Sequence, residues 1–182
     1  FKFLFIIFIS LTTSIKADSK KIFIEQAAEG GNLIFIRHAY APGNGDPTNF
    51  NLNDCSTQRN LSDKGRSQAK KIGNFFKENY IDIDKVLSSE WCRCKETADL
   101  AFNNYITKNF LNSFYSSKFA KNRNKQIKDL KRFINEWDGN KNLVLITHYV
   151  LISELLNYAP SSGEMVISNK NFKLINTYSL KY

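Results

Sequence analysis

Residues 33–43 read LIFIRHAYAPG. The first four, Leu33 to Ile36, are apolar without alternation, the pattern of a strand covered on both faces. The run stops at Arg37 and His38, side by side, before small residues, Pro42 and Gly43. The same change occurs twice more. The run 85–89, KVLSS, leads to Arg93 in the next helical segment, and the run 142–147, NLVLIT, leads to His148. In an open parallel sheet the carboxyl ends of the strands share one edge, where ligands bind. Arg37, His38, Arg93 and His148 are therefore expected in one pocket. Two guanidinium forks and two imidazoles suit a phosphoryl group.

The intervening segments read as helices. Residues 61–80 predict an amphipathic helix capped by Ser62, with Ala69, Ile72, Phe75 and Phe76 on one face. Further helices are predicted over 90–104, 124–137 and 150–158, a weak strand over 109–114 (NFLNSF), and a closing hairpin from EMVIS and KLINTYSL. Alternating apolar strands and helices predict an α/β fold, a three-layer α/β/α sandwich around a mostly parallel sheet. The polar segment 39–60 is a long loop for a compact domain, and such loops are usually functional.

The 182 residues amount to one domain, and 42% hydrophobic content is enough for a core and excludes a disordered chain. The net charge of +9 favours anionic partners. Twenty of the 26 cationic residues are Lys and six are Arg, so each Arg invites a role that Lys cannot fill, such as bidentate anion binding. The first 21 residues, FKFLFIIFISLTTSIKADSKK, have the layout of a secretory signal with a cut after Ala17; an uncleaved anchor is the alternative. The expected organisation is a signal peptide over 1–17 and a single domain over 18–182. The expected location is exported, in the periplasm, with no stable membrane insertion after cleavage. Removing Lys2 and Lys16 takes the charge from +9 to +7. Nucleic acid is disfavoured, because the Lys residues are scattered and export separates the chain from it. In an oxidising compartment Cys55 is expected to pair with Cys92 or Cys94, with three buried thiols as the alternative. No Cys-x-x-Cys occurs and the two His are far apart in sequence, so no metal site or cofactor is expected.

The blocks LIFIRHA, NLSDKGRSQAKKIG, SSEWCRCKETA and LVLITHYVLI, in this order, resemble the histidine phosphatase superfamily, also called phosphoglycerate mutase-like. The resemblance runs from about residue 31 to about residue 180. It implies that His38 is the nucleophile, that Arg37 and Arg93 clamp phosphate, and that His148 is the second pocket histidine. Arg59 resembles an arginine that small phosphohistidine phosphatases place beside the site. Gln68 and Ala69 resemble packing positions of the first helix. The implied function is a metal-independent phosphatase working through phosphohistidine on a small phosphorylated compound.

From the residues alone, Arg93 has Glu90 and Glu96 as alternative partners, and Arg59 has a loop-anchoring role as its alternative. Ser88 and Ser89 read as a strand end and a helix cap. The proton donor departs from the family pattern. Asn112 and Ser113 stand where many members carry an acid, and Tyr149 follows His148 where phytase-like relatives carry one. Glu164 is the leading candidate, with Asp46 and Asp54 as alternatives. A missing donor argues against mutase activity and for good leaving groups. It also leaves room for a non-catalytic phosphoanion-binding protein, or for a basic protein of the envelope surface.

Overall fold

The computed structural model describes residues 19–181, so the expected signal peptide over 1–17 lies outside the described residues. A helix over residues 19–28 (α1) precedes the sheet. The strands are β1 (Leu33–Arg37), β2 (Ile83–Ser88), β3 (Ile106–Thr107), β4 (Asn142–Thr147), β5 (Glu164–Ser168) and β6 (Leu174–Ser179). The remaining helices are α2 (Asp63–Glu78), α3 (Cys92–Phe102), α4 (Ser117–Ala120), α5 (Arg123–Glu136) and α6 (Tyr149–Leu156).

The sheet order is β3-β2-β4-β1-β5-β6. β1 to β4 run parallel, and β5 and β6 add the antiparallel hairpin expected from the sequence. β4 lies inside the sheet and every one of its residues is buried, which is why NLVLIT shows no alternation. One face packs Ile34, Ile36, Val144 and Ile146 against Phe23, Ile72, Phe75 and Ala98. The other packs Leu33, Phe35, Leu143 and Leu145 against Leu130, Ile134, Leu151 and Ile152. Each such aliphatic side chain contributes about 1.5–3 kcal/mol on burial. The result is the three-layer sandwich.

Ser62 caps α2 by accepting from the Gly65 amide, as expected. Gly65 is required by close approach, since a Cβ there would lie 2.0 Å from the Tyr40 carbonyl oxygen. α2 is thereby pressed against the chain just beyond His38.

Two expected elements differ. Residues 109–114 form no strand. A 3-10 turn covers Asn109–Leu111, and the short strand lies earlier, at Ile106–Thr107. Phe110, Leu111 and Phe114 are core anchors, while the Leu111 carbonyl accepts from Thr147 and those of Asn109 and Asn112 accept from Gln126. Carbonyls taken this way cannot build a ladder. The third helix begins at Cys92, not Glu90, because Asn112 Oδ1 accepts the Glu90 amide and holds the chain extended.

Candidate active site

Register brings the site together. Arg37 pairs with Thr147 across β1 and β4, so His38 and His148 each stand one residue beyond a matched pair. The His38 amide donates to the Thr147 carbonyl (2.9 Å), and the Ser89 amide donates to the Ile146 carbonyl (2.9 Å). The imidazole centroids are 5.5 Å apart, and both rings are buried. Arg37, His38, Arg59, Arg93 and His148 line one cavity of about 250 Å³, so five of the expected site residues meet.

His38 Nδ1 lies 2.8 Å from its neighbour's carbonyl, that of Ala39. A carbonyl can only accept, so Nδ1 carries the proton and Nε2 is left with its lone pair. Thr97 fixes this turn by accepting the Ala39 amide and donating to the Arg93 carbonyl. Gln68 accepts the Tyr40 amide and donates to the carbonyls of Ser162 and Leu180, so the expected packing role carries a polar function.

Ser89, expected as a helix cap, serves His148 instead. Its hydroxyl donates to Asn112 Oδ1 (3.0 Å) and therefore accepts from His148 Nε2 (3.0 Å). Nδ1, left with the lone pair, faces an Arg93 terminal nitrogen at 3.5 Å. Burial, then the Arg93 charge, drives both His38 and His148 well below the usual imidazole range. Both rings are thus neutral at pH 7.

Arg37 donates to the Pro160 carbonyl (2.9 Å) and lies over the Tyr149 ring, 5.3 Å from its centre. Arg59 lines the cavity and also anchors the loop, donating to the carbonyls of Ala41 and Gly45. Burial and the neighbouring Arg93 lower the guanidinium pKa of Arg59; burial chiefly lowers that of Arg37. Three mutually repelling guanidinium groups in one cavity create strong demand for an anion. The Nε–H groups of Arg37 and Arg93 are both buried without a protein acceptor.

Glu164 is not at the pocket rim expected for it. It is buried, accepting from the Tyr158 hydroxyl and the Ser161 amide, and it does not line the cavity. Asp54 is also elsewhere, exposed and capping the 3-10 turn Cys55–Thr57. Asp46 is the one carboxylate among the described residues lining the cavity. It takes both terminal nitrogens of Arg93, at 2.7 and 3.2 Å, the Trp91 indole N–H at 3.0 Å and the Arg59 amide at 3.2 Å. Burial alone would raise this carboxyl; the hydrogen bonds and charge of Arg93 outweigh that and hold it below the usual range.

The long loop is fastened to α3 by a disulfide between Cys55 and Cys92, next to Arg93. Gln58 adds a second tie by accepting the Cys92 amide. Cys94 remains a buried thiol against His148, its pKa pushed up to about 12 by burial. No group of three or more His, Cys, Asp or Glu side chains is arranged to hold a metal ion among the described residues. Neither the part of Trp91 nor that of Ser89 is legible from local sequence. The SSEWCRC block placed them near the strand end, but their hydrogen bonds depend on partners 45 and 59 positions away.

A strand-end histidine with a bare Nε2, faced by three arginines and a second neutral histidine, defines a phosphoryl-binding α/β domain. The chain belongs to the histidine phosphatase superfamily (branch 1), whose family model matches residues 33–142. Among curated relatives it is 34% identical over 77 residues to the serine/threonine-protein phosphatase Pgam5, mitochondrial, of Drosophila virilis, covering 42% of this chain. The match spans about a quarter of that relative, 24% of its length. The fold is shared with the protein histidine phosphatase SixA solved with tungstate (TM-score 0.54, 16% identity, 81% of this chain and 96% of that one). It is also shared with TTHB049 from Thermus thermophilus (TM-score 0.58, 14% identity, 82% and 99%).

Proposed function

We propose that the protein is an exported, metal-independent phosphatase that acts through a phosphohistidine at His38 on a small phosphorylated compound. The observation that carries this reading is the His38 tautomer: Nδ1–H is committed to Ala39, so Nε2 is the free nucleophile in a cavity lined by Arg37, Arg59 and Arg93. His38 Nε2 attacks phosphorus in line. The P–N bond forms as the P–O ester bond breaks, while the arginines bind the equatorial oxygens and His148 Nδ1 backs the Arg93 guanidinium. The guanidinium groups supply the charge that a metal would otherwise provide.

Asp46 replaces Glu164 as the proton donor in this proposal. A phosphate dianion on Arg93 offsets the cation that keeps Asp46 ionised, so its carboxyl holds a proton and passes it to the departing ester oxygen. Water then attacks phosphohistidine, the P–N bond breaks, and Asp46 takes the proton back from that water. Export is supported by the Cys55–Cys92 disulfide, which suits an oxidising compartment. The test is a panel of phosphorylated compounds offered to the purified protein with and without chelator. Turnover that survives chelator and is inhibited by vanadate is expected; loss to chelator, restored by a divalent cation, contradicts it.

A further inference from the structure

We propose that the outer part of this cavity is a subsite for a planar ring, so that the substrate is a phosphate monoester of a ring-bearing alcohol; this rests on the phosphatase reading above. The lining includes five aromatic side chains, Phe50, Trp91, Tyr115, Phe119 and Tyr149; Trp91 lies 5.4 Å from the His148 ring and Tyr149 under Arg37, and the others extend the cluster away from these two. They come from four separate places: the long loop, the start of α3, the segment around α4, and α6. No single amphipathic helix would gather them.

They are also ordered. Phe50 stacks on Trp91 with centroids 5.1 Å apart, and Phe119 sets its edge to both, at 5.5 and 5.4 Å. Tyr115 lies 5.8 Å from Tyr149, whose ring carries the Arg37 guanidinium. Trp91 is buried and serves the core as well, but Tyr115 is 50% exposed, and Phe50, Phe119 and Tyr149 are each partly exposed. Aromatic faces left accessible beside a reaction centre favour a flat apolar group. At about 250 Å³ the cavity lies just below the usual range of ligand sites, which limits the substrate to about one ring beyond a phosphoryl group. Apart from the three arginines and Asp46, Lys118 is the only charged side chain lining the cavity among the described residues, and Asn44, Thr48, Ser113 and Ser116 are its uncharged polar ones.

The test compares 2-phenylethyl phosphate with n-butyl phosphate, whose leaving alcohols have similar acidity, so that chemistry does not favour either. The expected result is a preference in kcat/KM of about tenfold or more for the phenylethyl ester, equivalent to about 1.4 kcal/mol. Phe119→Ala and the milder, surface Tyr115→Ala are each expected to shrink that ratio. Vanadate potency, read in parallel, reports the phosphoryl end alone. Equal kcat/KM for the two esters with vanadate still inhibiting, or a preference that survives both substitutions, overturns the subsite and leaves the phosphatase reading in place. Absence of both turnover and vanadate inhibition removes the two together.

Discussion

The carboxylate of Asp46 meets the guanidinium of Arg93 end to end, Oδ1 on one terminal nitrogen at 2.7 Å and Oδ2 on the other at 3.2 Å. Arg93 is almost wholly buried, so this pair is exchanged for solvent only at considerable cost. In the proposed mechanism, a phosphate arriving at Arg93 competes with Asp46 for the same fork. Substrate binding and the protonation of Asp46 are thereby linked.

Asp46→Asn is expected to lower turnover of alkyl phosphates by about 10²–10⁴-fold, the range of general acid catalysis. Turnover of p-nitrophenyl phosphate, whose leaving group needs no proton, should fall far less, and inorganic phosphate should bind more tightly. Glu164→Gln should show no such dependence on the leaving group, because Glu164 is engaged by Tyr158 and Ser161. A leaving-group series with both variants checks this; a steeper slope for Glu164→Gln than for Asp46→Asn would reverse the assignment.

Arg93→Lys keeps the charge and loses the planar fork. The expected loss in kcat/KM is about 10²–10³-fold, the scale of removing one donor from a transition-state cradle, with the melting temperature nearly retained. Steady-state kinetics beside thermal denaturation separate the two, and near-normal turnover would dismiss the clamp.

The sheet was legible in the sequence because unbroken apolar runs at 33–36 and 142–147 have few other uses, and their strand ends carried His38 and His148 with them. What could not be read was decided by contacts distant in sequence. Asn112 draws Glu90 out of α3 and fixes Ser89, 22 and 23 positions away. Asp46 reaches Arg93 across 47 residues, which no local pattern encodes. Glu164 does not line the cavity; Tyr158 and Ser161, its near neighbours in sequence, hold its carboxylate.

Cys55→Ser opens a disulfide that spans 37 residues and ties the loop of Asp46 and Arg59 to the helix of Arg93. The chain-entropy model puts the loss at about 3–4 kcal/mol. Weaker phosphate binding is expected alongside the lower stability, because the loop sets the distance between the arginines. Calorimetric titration with phosphate below the variant's melting range checks the second part; unchanged affinity would make the bridge purely structural.

Stability should fall as pH drops below about 6.5. The unfolded chain then protonates His38 and His148, while the native rings, whose pKa values are lowered by burial and Arg93, stay neutral. The unfolded state binds more protons, so acid favours unfolding, by up to about 2.7 kcal/mol per pH unit for two groups, until the native rings titrate. Denaturant unfolding between pH 7 and 5 should show this slope, and His148→Gln should about halve it. A pH-independent midpoint in the parent protein would contradict it.

The most direct measurement is a quench of the protein during turnover of a ³²P-labelled phosphomonoester, followed by peptide mapping. Acid-labile, base-stable label on the peptide carrying His38, absent from a turnover-dead His38→Ala, is the predicted result. A His38→Ala protein that turns over normally, or label that is acid-stable and sits elsewhere, would contradict the account.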